Sequence, residues 1–139
     1  MTSRDERRRS DCPIAFGLDI FGDKWTLLVI RDIAVSGKRH FREFLDSDEG
    51  IASNILTDRL QRLEAAGVIS RRPDPANARQ VIYMLTEKGI DLMPAMLELF
   101  RWGAKHGPQT SASKAMARRI EKNAEAIIEE LKASLKRSA

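Results

Sequence analysis

Apolar residues are spaced three or four apart up to residue 67, which is the rhythm of packed helices. Pro13 behind Cys12 marks a helix start, because proline is tolerated where the backbone N–H lacks an intrahelical partner. That first helix runs to about Phe21 and stops at Gly22. Asp23 is a good N-cap for a second helix, Lys24 to about Ala34, whose Trp25, Leu27, Leu28, Ile30 and Ile33 belong to a core. Ser36-Gly37 ends it. The stretch from Arg39 to Leu45 puts Phe41, Phe44 and Leu45 on one side of a third short helix, and a polar turn covers 46–50. From Ile51 to Gly67, Ala52, Leu56, Leu60 and Leu63 form an apolar stripe, and Gly67 is a natural C-cap. The opposite face holds Asn54, Thr57, Asp58 and Gln61, with Ser53 at its edge.

After Gly67 the rhythm changes. Val68 to Arg72 and Gln80 to Leu85 are β-branched or aromatic runs around the turn cluster at 73–77, which predicts a β-hairpin with a five- to seven-residue loop. Thr86-Glu87 opens a long helix carrying Leu92, Met93, Met96, Leu97, Phe100 and Trp102, which Pro94 should kink or interrupt. Gly107-Pro108 breaks the chain. The stretch 111–137 predicts an amphipathic helix with Ile120, Ala124, Ile127, Ile128, Leu131 and Leu135 on one unbroken stripe. It either strengthens a dimer or folds back on its own domain. Three regions follow: a basic arm over 1–11, a domain over 12–107, and the amphipathic helix over 108–139.

Composition narrows the classes. With 139 residues and 42% hydrophobic content, the chain can bury one core. It has no apolar run of about 18 residues to span a membrane, and its charged start reads as no secretory signal, so a cytoplasmic, nucleoid-associated protein is expected. A single cysteine excludes an intrachain disulfide framework. His40 and His106 lie far apart without metal-ligand spacing, and neither is close to Cys12 in sequence. No metal, cofactor or enzymatic activity is therefore expected. The net charge of +4 matters less than its placement at 1–10, 38–43 and 68–85, which a fold can gather onto one face.

Helix, helix, turn, helix, hairpin, helix is the order of a winged helix-turn-helix, an α+β fold that is mainly α with a two-stranded wing. A major groove about 12 Å wide admits one helix, whose first polar side chains reach base edges. Ser53, Asn54, Thr57 and Gln61 are the candidates for base contacts: Asn54 and Gln61 suit adenine, and Thr57 suits a base edge or a thymine methyl. Arg39, Arg59 and Arg62 are placed as phosphate contacts, with Arg71, Arg72 and Arg79 along the hairpin. The alternative for the hairpin arginines is that they are charges that keep edge strands from pairing.

Residues 12–103 resemble the HxlR-type family of bacterial winged-helix regulators. The matching stretches are Cys12-Pro13, Gly22-Asp-Lys-Trp-Thr-Leu-Leu28, Phe41 with Phe44-Leu45, Ile51 to Gly67-Val-Ile, Tyr83-Met-Leu-Thr-Glu-Lys-Gly89 and Trp102-Gly103. The resemblance implies a homodimer on a pseudo-palindromic operator in double-stranded DNA, more often repressor than activator, with terminal helices for dimerisation. It also implies that the helix from Ala52 to Ala66 is the recognition helix. Ala52 stands where such proteins often carry Ser, so either Ser53 caps one residue later or the cap is lost at a cost of about 1 kcal/mol. The loop at 73–79 also differs from the usual wing.

A helix N-terminus and the neighbouring arginines both attract negative charge, a setting in which Cys12 can sense oxidants or electrophiles, as some relatives do. The alternative is a small packing residue. Trp25, Phe100, Trp102 and the methionines read as core and dimer interface. A winged-helix module that binds proteins instead of DNA is the competing function. It should present Leu, Phe or Tyr at 53–61, and this chain does not.

Overall fold

The computed structural model describes residues 10–138, so most of the basic arm expected over 1–11 lies outside the described residues. The elements are α1 (Pro13–Phe21), α2 (Thr26–Ala34), α3 (Phe41–Leu45), α4 (Ser53–Ala65), β1 (Ile69–Asp74), β2 (Asn77–Leu85), α5 (Glu87–Ile90), α6 (Met93–His106) and α7 (Ser111–Ser138). The fold is mainly helical with one two-stranded antiparallel sheet. Its main core joins Ile30 and Ile33 of α2, Phe44 of α3, Leu56, Leu60 and Leu63 of α4, and Val68, Ile69 and Met93. The leucine stripe thus faces inward, and the polar face of α4 is left to solvent.

Local chemistry explains where elements begin and end. Asp23 accepts the Thr26 N–H at 2.9 Å, so it caps α2 although the regular helix starts at Thr26 rather than Lys24. His40 is the N-cap residue of α3, and Glu43 reaches back to accept the His40 N–H at 3.0 Å. Gly67 ends α4 with φ of +75°, a left-handed conformation that favours glycine. The Val68 N–H then returns to the Leu63 carbonyl at 2.9 Å.

Three expectations are corrected. The hairpin has a two-residue turn, Pro75-Ala76, instead of a five- to seven-residue loop. Side chains build that turn: Asp74 Oδ1 accepts the Ala76 N–H at 2.8 Å and Asn77 Oδ1 accepts the Arg79 N–H at 3.1 Å. Pro73 faces Val81 and Asp74 faces Asn77, so Ala78, Arg79 and Gln80 stand outside the ladder as a bulge. The interruption expected at Pro94 is found: α5 ends before α6 begins, and Pro94 occupies the first turn of α6, where its missing N–H is tolerated. The 111–137 helix is interrupted at Asn123 (φ −163°, ψ 83°), whose Oδ1 accepts the Ala126 N–H and starts the helix afresh. Finally, Phe100 and Trp102 are not core: they are 41% and 65% exposed.

Within this chain α7 packs back on its own domain. Ile120 and Ile127 meet Leu97 of α6, and Leu135 joins the main core. Arg119 reaches Glu130 across the kink at 3.2 Å. By contrast α1 has no buried residue, and its Ile14, Phe16 and Leu18 are exposed while Ile20 and Phe21 touch the core.

Gly89 sits where α5 crosses the end of α4, and a Cβ there would overlap the Val68 carbonyl oxygen and press on Leu85. Gly89→Ala is expected to lower unfolding free energy by about 2–4 kcal/mol. Gly103→Ala, in open space on α6, should instead raise it by about 0.5–1 kcal/mol. Urea unfolding of both variants checks the pair; equal effects would contradict the close approach at Gly89.

Candidate nucleic-acid interface

α4 exposes Ser53, Asn54, Thr57 and Gln61, and the last three fall on one helix face by their spacing of three and four. No side chain caps this helix: Ala52 is the N-cap residue and Ser53 is already helical. The Thr57 hydroxyl donates to the Ser53 carbonyl at 2.9 Å, which leaves its lone pairs and methyl for a partner. Between α4 and the hairpin runs an open groove of about 420 Å³ lined in part by Thr57, Gln61, Glu64, Arg71 and Tyr83.

The arginines divide into two groups. Arg59 is only 16% exposed at its side chain and pairs with Asp23 and Asp58, tying α4 to the start of α2. Arg39 donates to the Ile33 and Lys38 carbonyls at 2.8 and 2.9 Å. These two guanidiniums serve the fold, although sequence reasoning placed both on phosphates. The other group points outward. Arg62 pairs with Asp58 at 3.0 Å and Arg71 with Glu64 at 3.4 Å, both well exposed. Arg72 and Arg79 are exposed, and neither has an ion-pair partner among the described residues. Cys12 is exposed at the start of α1, away from the α4–hairpin unit in the chain.

Residues that hold this surface were partly missed from sequence. His40 bonds Asp74 of β1 through Nε2 at 2.8 Å, and Lys88 donates to the Ala66 carbonyl at 2.7 Å, closing the end of α4. The capping spacing of His40 and Glu43 was the available signal for the first. The position of Lys88 just past the hairpin was the signal for the second. Lys24 sits 4.5 Å from the Trp25 ring centre, a cation–π contact, and is itself exposed. No cluster of metal-ligating side chains occurs among the described residues.

Burial alone would raise the Asp23 carboxyl, but hydrogen bonds from Thr26 and the pair with Arg59 outweigh it and hold the pKa below its ordinary 3.8. A lowered folded pKa gives stability that is present above the unfolded value and lost as pH falls through the folded one. Asp23→Ala should therefore cost about 1–3 kcal/mol at neutral pH and flatten acid unfolding between about pH 5 and 2. Circular dichroism on both proteins measures this; parallel acid curves would refute the assignment.

Comparison with known proteins agrees with this geometry. Residues 20–111 match the family model described as HxlR-like helix-turn-helix. Over 95 residues the chain is 37% identical to the HTH-type transcriptional regulator YdeP of Bacillus subtilis, covering 68% of this chain and 73% of that protein. Among solved structures it is similar to the redox regulator HypR in its oxidized form, with TM-score 0.62 and 34% identity over 70% of this chain and 99% of that one. It is also similar to the reduced form of the transcriptional regulator YodB from B. subtilis, with TM-score 0.57 and 28% identity over 70% and 95% of the two chains. With a winged-helix fold, an exposed polar helix face and a family match over residues 20–111, the chain belongs to the HxlR-like helix-turn-helix family of transcriptional regulators.

Proposed function

We propose that this regulator binds a pseudo-palindromic operator as a homodimer and represses by occupying it, with Cys12 as a sensor of oxidants or electrophiles. The observation that carries the reading is the outward face of Asn54, Thr57 and Gln61 on a helix fastened along its flank and at its C-terminal end. These short polar side chains suit base edges, and Arg62, Arg71, Arg72 and Arg79 suit the flanking phosphates. The protein acts in the cytoplasm, on the nucleoid; no helix among the described residues is long and apolar enough to cross a membrane.

Dimerisation is supported by apolar surface that a monomer has no use for. Ile14, Phe16 and Leu18 on α1 and Leu99, Phe100 and Trp102 on α6 are all exposed. A second copy covering these faces would relate two α4 helices by a two-fold axis, as a pseudo-palindromic operator requires. The sensing role draws on the exposure of Cys12 and on two similar proteins, the redox regulator HypR and a YodB structure with bound quinone. With one cysteine in the sequence, any disulfide joins two chains or adds a small thiol.

Binding to DNA from upstream of its own gene, with random duplex as competitor at two salt concentrations, tests the main claim. The expected slope of log affinity against log salt reflects about 6–10 phosphates per dimer. Asn54→Ala should cost about 1–3 kcal/mol of discrimination between operator and random duplex. Discrimination that survives this change would remove the helix assignment, and absence of binding to any duplex would favour a protein partner. Light scattering of Phe16→Glu with Trp102→Glu should show monomers; a persistent dimer would place the interface elsewhere.

A further inference from the structure

The hairpin is attached to the helices at two levels, and only the outer one depends on a proton. Near its base, the Tyr83 N–H donates to the Arg39 carbonyl at 2.9 Å, and the Tyr83 ring meets Phe44 edge-on at 6.1 Å between centres. Farther out, His40 bridges two elements. Its Nδ1 lies 2.8 Å from Glu43 Oε1 on α3, and its Nε2 lies 2.8 Å from Asp74 Oδ2 at the end of β1. Ionised carboxylates only accept hydrogen bonds, so both ring nitrogens must donate. Only the imidazolium carries two N–H groups. Asp74 uses its other oxygen to accept the Ala76 N–H in the turn, so a continuous chain of bonds runs from α3 to the hairpin tip.

We propose that His40 is a positioning residue for the wing: held as an imidazolium between Glu43 and Asp74, it fixes the outer hairpin against α3 and makes DNA affinity depend on its proton. The dependence on DNA rests on the function proposed above; the positioning does not.

The groups around the ring are few. Glu43 lies on its own helix and Asp74 on β1. Arg39, just before α3, directs its guanidinium to the Ile33 and Lys38 carbonyls. From β2 comes Tyr83, packed on Phe44. The bond to Asp74, then that to Glu43, raises the His40 pKa above its ordinary 6.5. Asp74 is correspondingly lowered, first by the Ala76 N–H and then by His40. A pKa raised on folding means the clamp is complete below about pH 6.5 and is lost as pH climbs through the higher folded value. Its loss leaves the base attachments intact and only one ring N–H for Glu43 and Asp74 to compete for, which loosens the segment that carries Arg79.

The test follows the His40 ring and the backbone amides of residues 76–80 by NMR in the full chain, from about pH 5.5 to 9. Wild type, His40→Gln and Asp74→Asn are compared, and anisotropy then measures upstream and random duplex over the same range. In wild type the hairpin amides should lose order with the midpoint of the ring. Asp74→Asn should move that midpoint to lower pH, and His40→Gln should abolish the transition. Affinity of wild type should fall about five- to tenfold across the range, as expected for one charge-assisted hydrogen bond, and stay nearly flat in His40→Gln. Amides that ignore the ring's titration, or the same affinity profile in wild type and His40→Gln, would overturn the proposal. Amides that follow the ring in a protein that binds no duplex would support the positioning role and count against DNA binding instead.

Discussion

A side chain can read a base edge only if the helix bearing it cannot roll, and α4 is held on its inner face, on its flank and at its C-terminal end. Three leucines on its inner face meet α2, α3 and the start of β1. On its flank Arg59 reaches Asp23, which already caps α2, so α2 and α4 share one carboxylate. At its end, Gly67 turns the chain, the Thr86 hydroxyl donates to the Gly67 carbonyl at 2.6 Å, and Lys88 donates to Ala66. Gly89 lets the next backbone approach closely enough for this joint to exist. The stretch from Tyr83 to Gly89 therefore has a mechanical meaning: it is the return from the hairpin that locks the end of α4.

The order of elements was legible because it is written in short-range features. Leucine spacing, Gly67, Pro94 and the β-branched runs act within a few residues, and each predicted its element. What was not legible depends on partners far along the chain. An arginine bound for a phosphate looks the same in sequence as Arg59, whose aspartate lies 36 residues away. His40 is separated by 34 residues from Asp74. The hairpin loop was overestimated because Asp74 and Asn77 replace loop backbone with their own side-chain bonds. The interruption of α7 falls at Asn123, a polar residue in an exposed position where periodicity carries no signal.

Charge and apolar surface are distributed by role. Cations that serve the fold are paired or bonded to carbonyls at the joints, whereas Arg72 and Arg79 have no ion pair among the described residues. Likewise the deep apolar residues close one core around α4, while α1 and α6 keep large apolar side chains outside. Cys12 stands at the head of one of these open helices. A modified side chain there would bear on whatever covers α1, which gives a thiol a short physical route to the quaternary state.

The bulge at Ala78, Arg79 and Gln80 separates two demands on the hairpin. Strand register is fixed from Ile69 to Pro73 on one side and at the Asp74–Asn77 turn on the other, so the bulged residues carry no ladder of their own. Length and composition can drift there through generations without shifting Tyr83 from Arg39 or Asp74 from His40. A lineage of such regulators can thereby acquire new preferences at the edge of its sites while inheriting the same scaffold unchanged.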